Sequence, residues 1–197
     1  MSRTGLSILI PAAGASERLG QSKQLVKYHG TTLIQKSVEN AFAIGPAEVI
    51  VVTGYQAGPV KRSVRQSGVI WVHNQRWSEG MGTSIATGAA RVNSQSSGLM
   101  VLLCDQWRIG QHDLSTLAEQ WKSSPKSIVC AQVKGRNMPP AIFPSSLFRQ
   151  LRALEGHRGA QTILAAHAPM LTSIPLENAA FDLDTKADLS LLKSHEL

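Results

Sequence analysis

The chain of 197 residues is 43 % hydrophobic and 17 % charged, the balance of a folded globular protein rather than a disordered one. A net charge of +7 suits an anionic partner, but the densest basic group is only Lys61, Arg62 and Arg65, and aromatics are 5 %, which argues against nucleic acid. Cys104 and Cys130 each close an apolar run without a CxxC spacing, and read as buried strand thiols in a reducing, cytoplasmic setting rather than as metal ligands.

In chain order, Leu6 to Pro11 reads as a buried strand. Arg3 before it and small residues after it mimic an export signal, but the apolar run is short and is broken by Ser7 and Pro11. No stretch approaches the roughly 18 apolar residues of a membrane span. Thr32 and Gln35 make a capping-box pattern ahead of Ile34, Val38, Ala41 and Phe42 on one helix face, and Gly45-Pro46 stops that helix. "EVIVVTG" (48–54) and "VIWVH" (69–73) read as strands, followed by a helix from about Thr83 through Ile85, Ala86, Ala89 and Ala90. "GLMVLLCD" (98–105) is the next strand. A helix near Asp113 then carries Leu114, Leu117, Ala118 and Trp121 and ends before Pro125. "SIVCAQV" (127–133) is a further strand. Ser146 to Leu154, closed by Gly156, Ala160 to His167, and a tail capped by Thr185 read as helices.

Strands that are apolar throughout are buried on both faces. Alternation of such strands with helices predicts an α/β fold, a Rossmann-like three-layer sandwich on a mostly parallel sheet. No repeat, linker or low-complexity tract appears, so residues 1–197 read as one domain.

The stretch "PAAGASERLGQSK" (11–23) follows the first strand, where sheets of this kind bind phosphate. It matches neither GxGxxG nor the GxxxxGK template, because Gln21 and Ser22 separate Gly20 from Lys23. Ala12-Ala13-Gly14 lets backbone N–H groups approach a ligand closely, and Gly20 permits a tight bend. Arg18 and Lys23 offer a planar fork and a point charge. On the residues alone the loop is either a phosphate cradle or a glycine-rich turn.

Three other groups carry chemistry. Asp105 ends an apolar strand and so sits at the ligand edge of the sheet. "FDLDT" sets Asp182 and Asp184 at i, i+2, on one side of an extended segment, either as metal ligands or as part of the cap led by Thr185. Gly80, Gly82 and Ser84 stand at the head of the helix near Thr83, which is either a capped helix or an anion site. "GTSIA" (82–86) also approaches the GxSxG nucleophile elbow, with Ser84 as nucleophile and His112 or His157 as partner. That motif needs a strand running into it, and "NQRWSEGM" is not one.

"PAAGASERLGQSKQL" resembles the xAAGxSxRxGxxKxL signature of the MobA-like nucleotidyltransferases. "VVTGYQA" (51–57), "NQRWSEGMGTSIATGA" (74–89), "VLLCDQ" (101–106) and "FDLDTKADL" (181–189) stand in the order and spacing of their molybdenum cofactor cytidylyltransferase subgroup. The resemblance implies a sandwich of the nucleotide-diphospho-sugar transferase type. It also implies Mg²⁺-dependent (or Mn²⁺-dependent) transfer of CMP from CTP to the terminal phosphate of a molybdopterin-type cofactor, with release of pyrophosphate. Ala12, Ala13, Gly14, Arg18, Lys23, Thr53, Gly54, Asn74, Gly80, Gly82 and Ser84 would surround the substrates. Arg18, Lys23 and Asp105 would be catalytic, and Asp105, Asp184 and Asp182 would hold the metal. The AAG form at Ala12-Ala13-Gly14 is associated with CTP, whereas guanylyl-transferring relatives carry AGG.

A phosphate nucleophile is already ionised, so such a reaction needs no general base and rests on positioning and electrostatics. The implied partners are CTP, a molybdopterin-type cofactor, and a downstream molybdenum hydroxylase or its chaperone, with no nucleic acid and no membrane. The chain departs from the pattern on the acceptor side. Trp107 replaces a proline, "MPPAIF" (138–143) lacks a glycine, and "GHRGAQTIL" (156–164) replaces an acidic GDxGAR, gaining His157. These departures leave open another phosphorylated acceptor, another nucleoside triphosphate, or a nucleotide-binding homologue with little turnover.

Overall fold

The computed structural model describes residues 5–196. Strand β1 (Leu6–Ala12) is buried along its whole length, and its alternate side chains feed opposite layers. A small hairpin of β2 (Lys27–Tyr28) and β3 (Thr31–Thr32) leads into helix α1 (Leu33–Ala43). Thr32 Oγ1 accepts from the Gln35 N–H at 3.3 Å, while the Gln35 side chain turns to Glu39 and to the Arg65 N–H. Only half of the capping box therefore forms. Gly45, at φ +66°, ends the helix as its sequence signals.

Next come β4 (Glu48–Thr53), α2 (Ala57–Ser63), β5 (Val69–His73), α3 (Met81–Ala89), β6 (Gly98–Val101) and α4 (Gln111–Ser123). Then follow β7 (Ile128–Val133), β8 (Arg136–Pro144), α5 (Phe148–Arg152), α6 (Gln161–Ala166), β9 (Leu171–Pro175) and α7 (Lys186–Ser194). The sheet order is β5-β4-β1-β6-β8-β7-β9, with β8 antiparallel to both neighbours and every other pairing parallel.

The layers follow from alternation. Ile8 and Ile10 of β1 pack with Val38 and Ala41 of α1 and with Leu114 and Leu117 of α4. Leu9 points the other way, onto Ile85 and Ala89 of α3. This is the predicted three-layer sandwich on a mostly parallel sheet. Leu192 of α7 joins neither main layer but a third cluster with Leu19, Leu33, Trp107 and Leu183. Among the described residues, no helix is long and apolar enough to cross a membrane.

Three of the elements that escape the sequence signals do so for identifiable reasons. In β8 the register against β7 jumps from Cys130–Ala141 to Ala131–Met138, so Pro139 and Pro140 fall in the irregularity. That is where residues without an N–H can sit in an interior strand. The same prolines shorten β6. Its ladder with β8 ends at Val101–Ala141, four residues before the expected Asp105. Helix α2 carries Gly58-Pro59 in its first turn and reads as a breaker, and β9 is only half-buried.

Candidate active site

The carboxyl ends of β1, β4, β5 and β6 share one edge of the sheet, where ligands bind in open α/β folds. The loop leaving β1 is pinned at several points. The Tyr55 N–H donates to Ala13 O at 2.9 Å, Gln24 Nε2 donates to Gly14 O at 3.0 Å, and the Lys23 N–H donates to Ser16 Oγ at 3.3 Å. Gly20, at φ +76°, makes the bend. A Cβ added to Gly14 would meet nothing within 4 Å. Packing inside the protein does not demand glycine there, and the open side of Gly14 faces a cleft of about 590 Å³.

Ala13, Gly14, Arg18, Lys23, Asp105, Asp184, Gly80 and Ser84, all named from the sequence, line that cleft. At its floor the Lys23 ammonium bridges Asp105 Oδ2 and Asp184 Oδ1, the latter at 2.9 Å. Burial alone would pull Lys23 down, but the charge and hydrogen bond of Asp105, then those of Asp184, outweigh it and hold the amine above the usual lysine range. Arg18 Nη2 reaches Asp184 Oδ2 at 3.1 Å, with the two side chains 73 % and 39 % exposed. A pair so wet contributes under about 1 kcal/mol, so Arg18 is free to swing onto a ligand. Lys23, 17 % exposed and held by two carboxylates, is fixed.

Asp105 is buried, and its Oδ1 has no hydrogen-bond partner. An orphaned anionic oxygen beside a second carboxylate, in a cleft holding a phosphate-type loop, fits a hard divalent cation whose other ligands are phosphate oxygens and water.

Several residues expected at the site have other partners or positions in the structure. Asp182 does not line the cleft, and among the described residues no three His, Cys, Asp or Glu side chains gather to hold a metal. Asp182 sits instead on a backbone bridge to Gln106, and its carboxyl is pushed up to about 7 by burial and then by the charges of Asp105 and Asp184. Asn74 is spent on structure. Its Nδ2 donates to Thr83 Oγ1 at 2.9 Å and to Ser84 Oγ at 3.0 Å, and its Oδ1 accepts from the Arg76 N–H.

Thr53 is buried and donates to Val72 O, and Ala12 is buried within β1. Gly54 serves packing, since a Cβ there would collide with the Trp77 side chain. The Gly82 N–H is not free for an anion because it donates to Gly156 O at 2.8 Å, and a Cβ would come within 2.6 Å of the Glu155 and Arg158 carbonyls. Ser84 is buried, and no histidine is among its hydrogen-bond partners, so the hydrolase reading falls.

Trp77, Ser78 and Met81 line the cleft without having been singled out as ligand-facing, as does His157, named from the sequence only as a hydrolase partner and an acceptor-side departure. Glycine supplies the signal for two of them. Gly54 makes room for Trp77, while Gly80 and Gly82 interlock with 155–158 and so bring His157 to the rim. Cys104 also lines the wall, with its thiol pushed up to about 12 by burial and then by the Asp105 charge. Burial raises Cys130 as well. At pH 8 only about 10⁻⁴ of Cys104 is thiolate. Ellman's reagent therefore titrates no thiol in the native protein and two in denaturant, and a fast native thiol would contradict this packing.

A sequence model of the MobA-like NTP transferase domain matches residues 8–170. Purine catabolism protein PucB of Bacillus subtilis (strain 168) is 25 % identical over 170 residues, 78 % of this chain and 77 % of PucB. The molybdenum cofactor cytidylyltransferase of Escherichia coli (strain K12) is 29 % identical over 93 residues, 47 % of this chain, which spans just under half (48 %) of that protein. The crystal structure of Rv0371c from Mycobacterium tuberculosis H37Rv shares the fold at a TM-score of 0.83 and 24 % identity, over 98 % of this chain and 100 % of that one. A structure of Rv0371c in complex with manganese gives 0.77 at 22 % identity, over 97 % of this chain and 98 % of that one.

Proposed function

Because this chain belongs to the MobA-like NTP transferase family, a family of nucleotidyltransferases, we propose that it moves CMP from CTP to the terminal phosphate of a molybdopterin-type cofactor. Pyrophosphate is released, and Mg²⁺ is the metal, with Mn²⁺ as a substitute. The observation that carries this reading is Lys23 lodged between Asp105 and Asp184, beneath a loop whose Gly14 leaves room for a triphosphate. The Ala12-Ala13-Gly14 form and the cytidylyltransferase relative support cytosine as the base.

The protein's own groups divide the work. Loop amides at Ala13 and Gly14 face the phosphates, and the mobile Arg18 fork closes over them from solvent. Lys23 holds a fixed positive charge at the cleft floor. Asp105 and Asp184 would hold the divalent cation, which when bound spreads the charge that grows on the α-phosphate. The acceptor phosphate attacks in line, its own ionisation making a base unnecessary, and the cleft accordingly offers positioning rather than a proton relay. The product would pass to a molybdenum hydroxylase or its chaperone in a cytoplasm whose reducing conditions suit two free thiols. A different phosphorylated acceptor is the second reading, favoured by His157 at the rim, where the resemblance leads one to expect an acidic residue.

Pyrophosphate release from CTP with molybdopterin and Mg²⁺ tests the reaction, and a thermal-shift panel of CTP, GTP, ATP and UTP with Mg²⁺ tests the nucleotide. CTP at 100 times its Kd adds about 2.7 kcal/mol, or roughly 5–10 °C for a chain of this size. No shift with any nucleotide sinks the proposal. A CTP shift without turnover on molybdopterin moves it to the second reading.

A further inference from the structure

Trp107 lies two residues beyond Asp105, yet it turns away from the cleft into the third apolar cluster, where it is 2 % exposed. Its neighbours there come from both halves of the candidate site. Leu19 belongs to the loop between Arg18 and Lys23, and Leu183 separates Asp182 from Asp184. Tyr28 and Phe181 meet the indole edge-on, at ring-centre distances of 5.1 and 5.7 Å. The Arg108 guanidinium lies 3.9 Å from the Phe181 ring centre and closes the cluster from outside.

The backbone repeats the connection. The Trp107 N–H donates to Phe181 O at 3.2 Å, the Leu183 N–H donates to Asp105 O at 3.0 Å, and Gln106 and Asp182 form an antiparallel bridge between them. This short ladder carries Asp184 to its place opposite Asp105. Lys36 Nζ, on α1, donates to Trp107 O at 2.5 Å and anchors the same turn. Trp107 touches no wall of the cleft, but it packs against the loop that holds Lys23 and against the segment that holds Asp184.

We propose that Trp107 is a positioning residue which fixes the separation of Asp184 from Asp105 and seats Lys23 between them, so that α7 and its leading segment are a working part of the site. This deepens the proposed nucleotidyl transfer and rests on it for its activity readout. The metal-binding readout stands independently.

The experiment compares Trp107→Ala, Trp107→Phe and Trp121→Ala in the full chain. Trp121 is an equally buried indole of the main core, remote from the cleft, and controls for the loss of packing alone. Mn²⁺ binding to the free protein is followed by electron paramagnetic resonance, and CTP turnover by pyrophosphate release at saturating metal. Loss of a group that orients ligands weakens metal binding by about 10-fold or more. We expect that loss in Trp107→Ala, with kcat falling and KM for CTP little changed. Trp107→Phe restores both toward wild type, and Trp121→Ala leaves metal affinity intact. Should Trp107→Ala fail to fold, Leu183→Ala is read in the same way.

Mn²⁺ affinity unchanged in a folded Trp107→Ala, or lost equally in Trp121→Ala, overturns the proposal. If wild type binds Mn²⁺ but turns over no nucleotide, the functional reading fails, and the metal comparison still decides the role of Trp107.

Discussion

Lys23→Met lowers pyrophosphate release by about 10²–10³-fold, the loss seen when one preorganised donor is removed from developing negative charge. Methionine keeps most of the apolar stem and deletes only the ammonium. Two effects then separate. The nucleotide phosphates lose a fixed cation, and Asp105 and Asp184 lose the counter-charge they share. The second effect reaches the folded protein even without substrate. Asp105 already has one oxygen without a partner, and the substitution strips the other. An uncompensated buried carboxylate costs on the order of 3–5 kcal/mol.

Denaturant midpoints of Lys23→Met and wild type at pH 7.5 measure that cost. Metal binding moves in the opposite direction to activity. In wild type a divalent cation competes with the Lys23 ammonium for Asp105 and Asp184, and without Lys23 the cation is their only counter-charge. Mn²⁺ therefore binds free Lys23→Met more tightly than wild type. Turnover near wild type would remove Lys23 from the chemistry, and weaker Mn²⁺ binding would show that the ammonium organises the carboxylates rather than competing for them.

The residues brought together at the cleft floor are those whose chemistry is conspicuous in the sequence. A carboxylate at the end of an apolar strand has few structural uses, and Asp105 lies where that reasoning puts it. Lys23 and Arg18 stand out because the loop around them holds little else that is bulky. The sequence is ambiguous where one residue type has two employments. Asn74 and Ser84 suit a ligand equally well as donor and acceptor, but here they satisfy each other across the 74–84 turn. Gly82 looks like an open helix N-terminus, and its amide is claimed by Gly156, far away in sequence. No local pattern announces such a contact.

Trp107 shows the same limit. Beside Asp105 in sequence it reads only as a bulky replacement for a proline, because a sequence gives adjacency but not direction. Pairing of 105–107 with 181–183 turns the indole to the far side. The β8 prolines mislead in the same manner, since a strand can carry them only where its partner's register slips, and the slip is a property of two strands at once.

Asp105→Asn abolishes measurable turnover, with a fall of at least about 10³-fold, because the side chain keeps its shape and loses the anion that pairs with Lys23 and offers Oδ1 to a cation. A second consequence runs through Asp182 and is measured without substrate. The Asp182 carboxyl is pushed up to about 7 from an ordinary 3.8, first by burial, then by the charge of Asp105, then by that of Asp184, with Lys23 opposing. Between about pH 4 and 7 the folded protein holds this proton and the unfolded chain does not. Stability in wild type therefore falls as pH rises through that window. The side chain reaches solvent, and screening leaves a fall on the order of 1–2 kcal/mol.

The amide introduced by Asp105→Asn carries no charge, so the largest of the carboxylate repulsions on Asp182 disappears and the fall flattens. Urea unfolding at pH 5 and pH 7.5 compares the two proteins directly. A variant that keeps the wild-type slope would mean that Asp182 and Asp105 are not coupled. A variant that keeps turnover would mean that the nucleotide's metal is held elsewhere. Together the two readings separate a carboxylate proposed to bind the metal, Asp105, from one that sits close enough to feel its charge without joining it, Asp182.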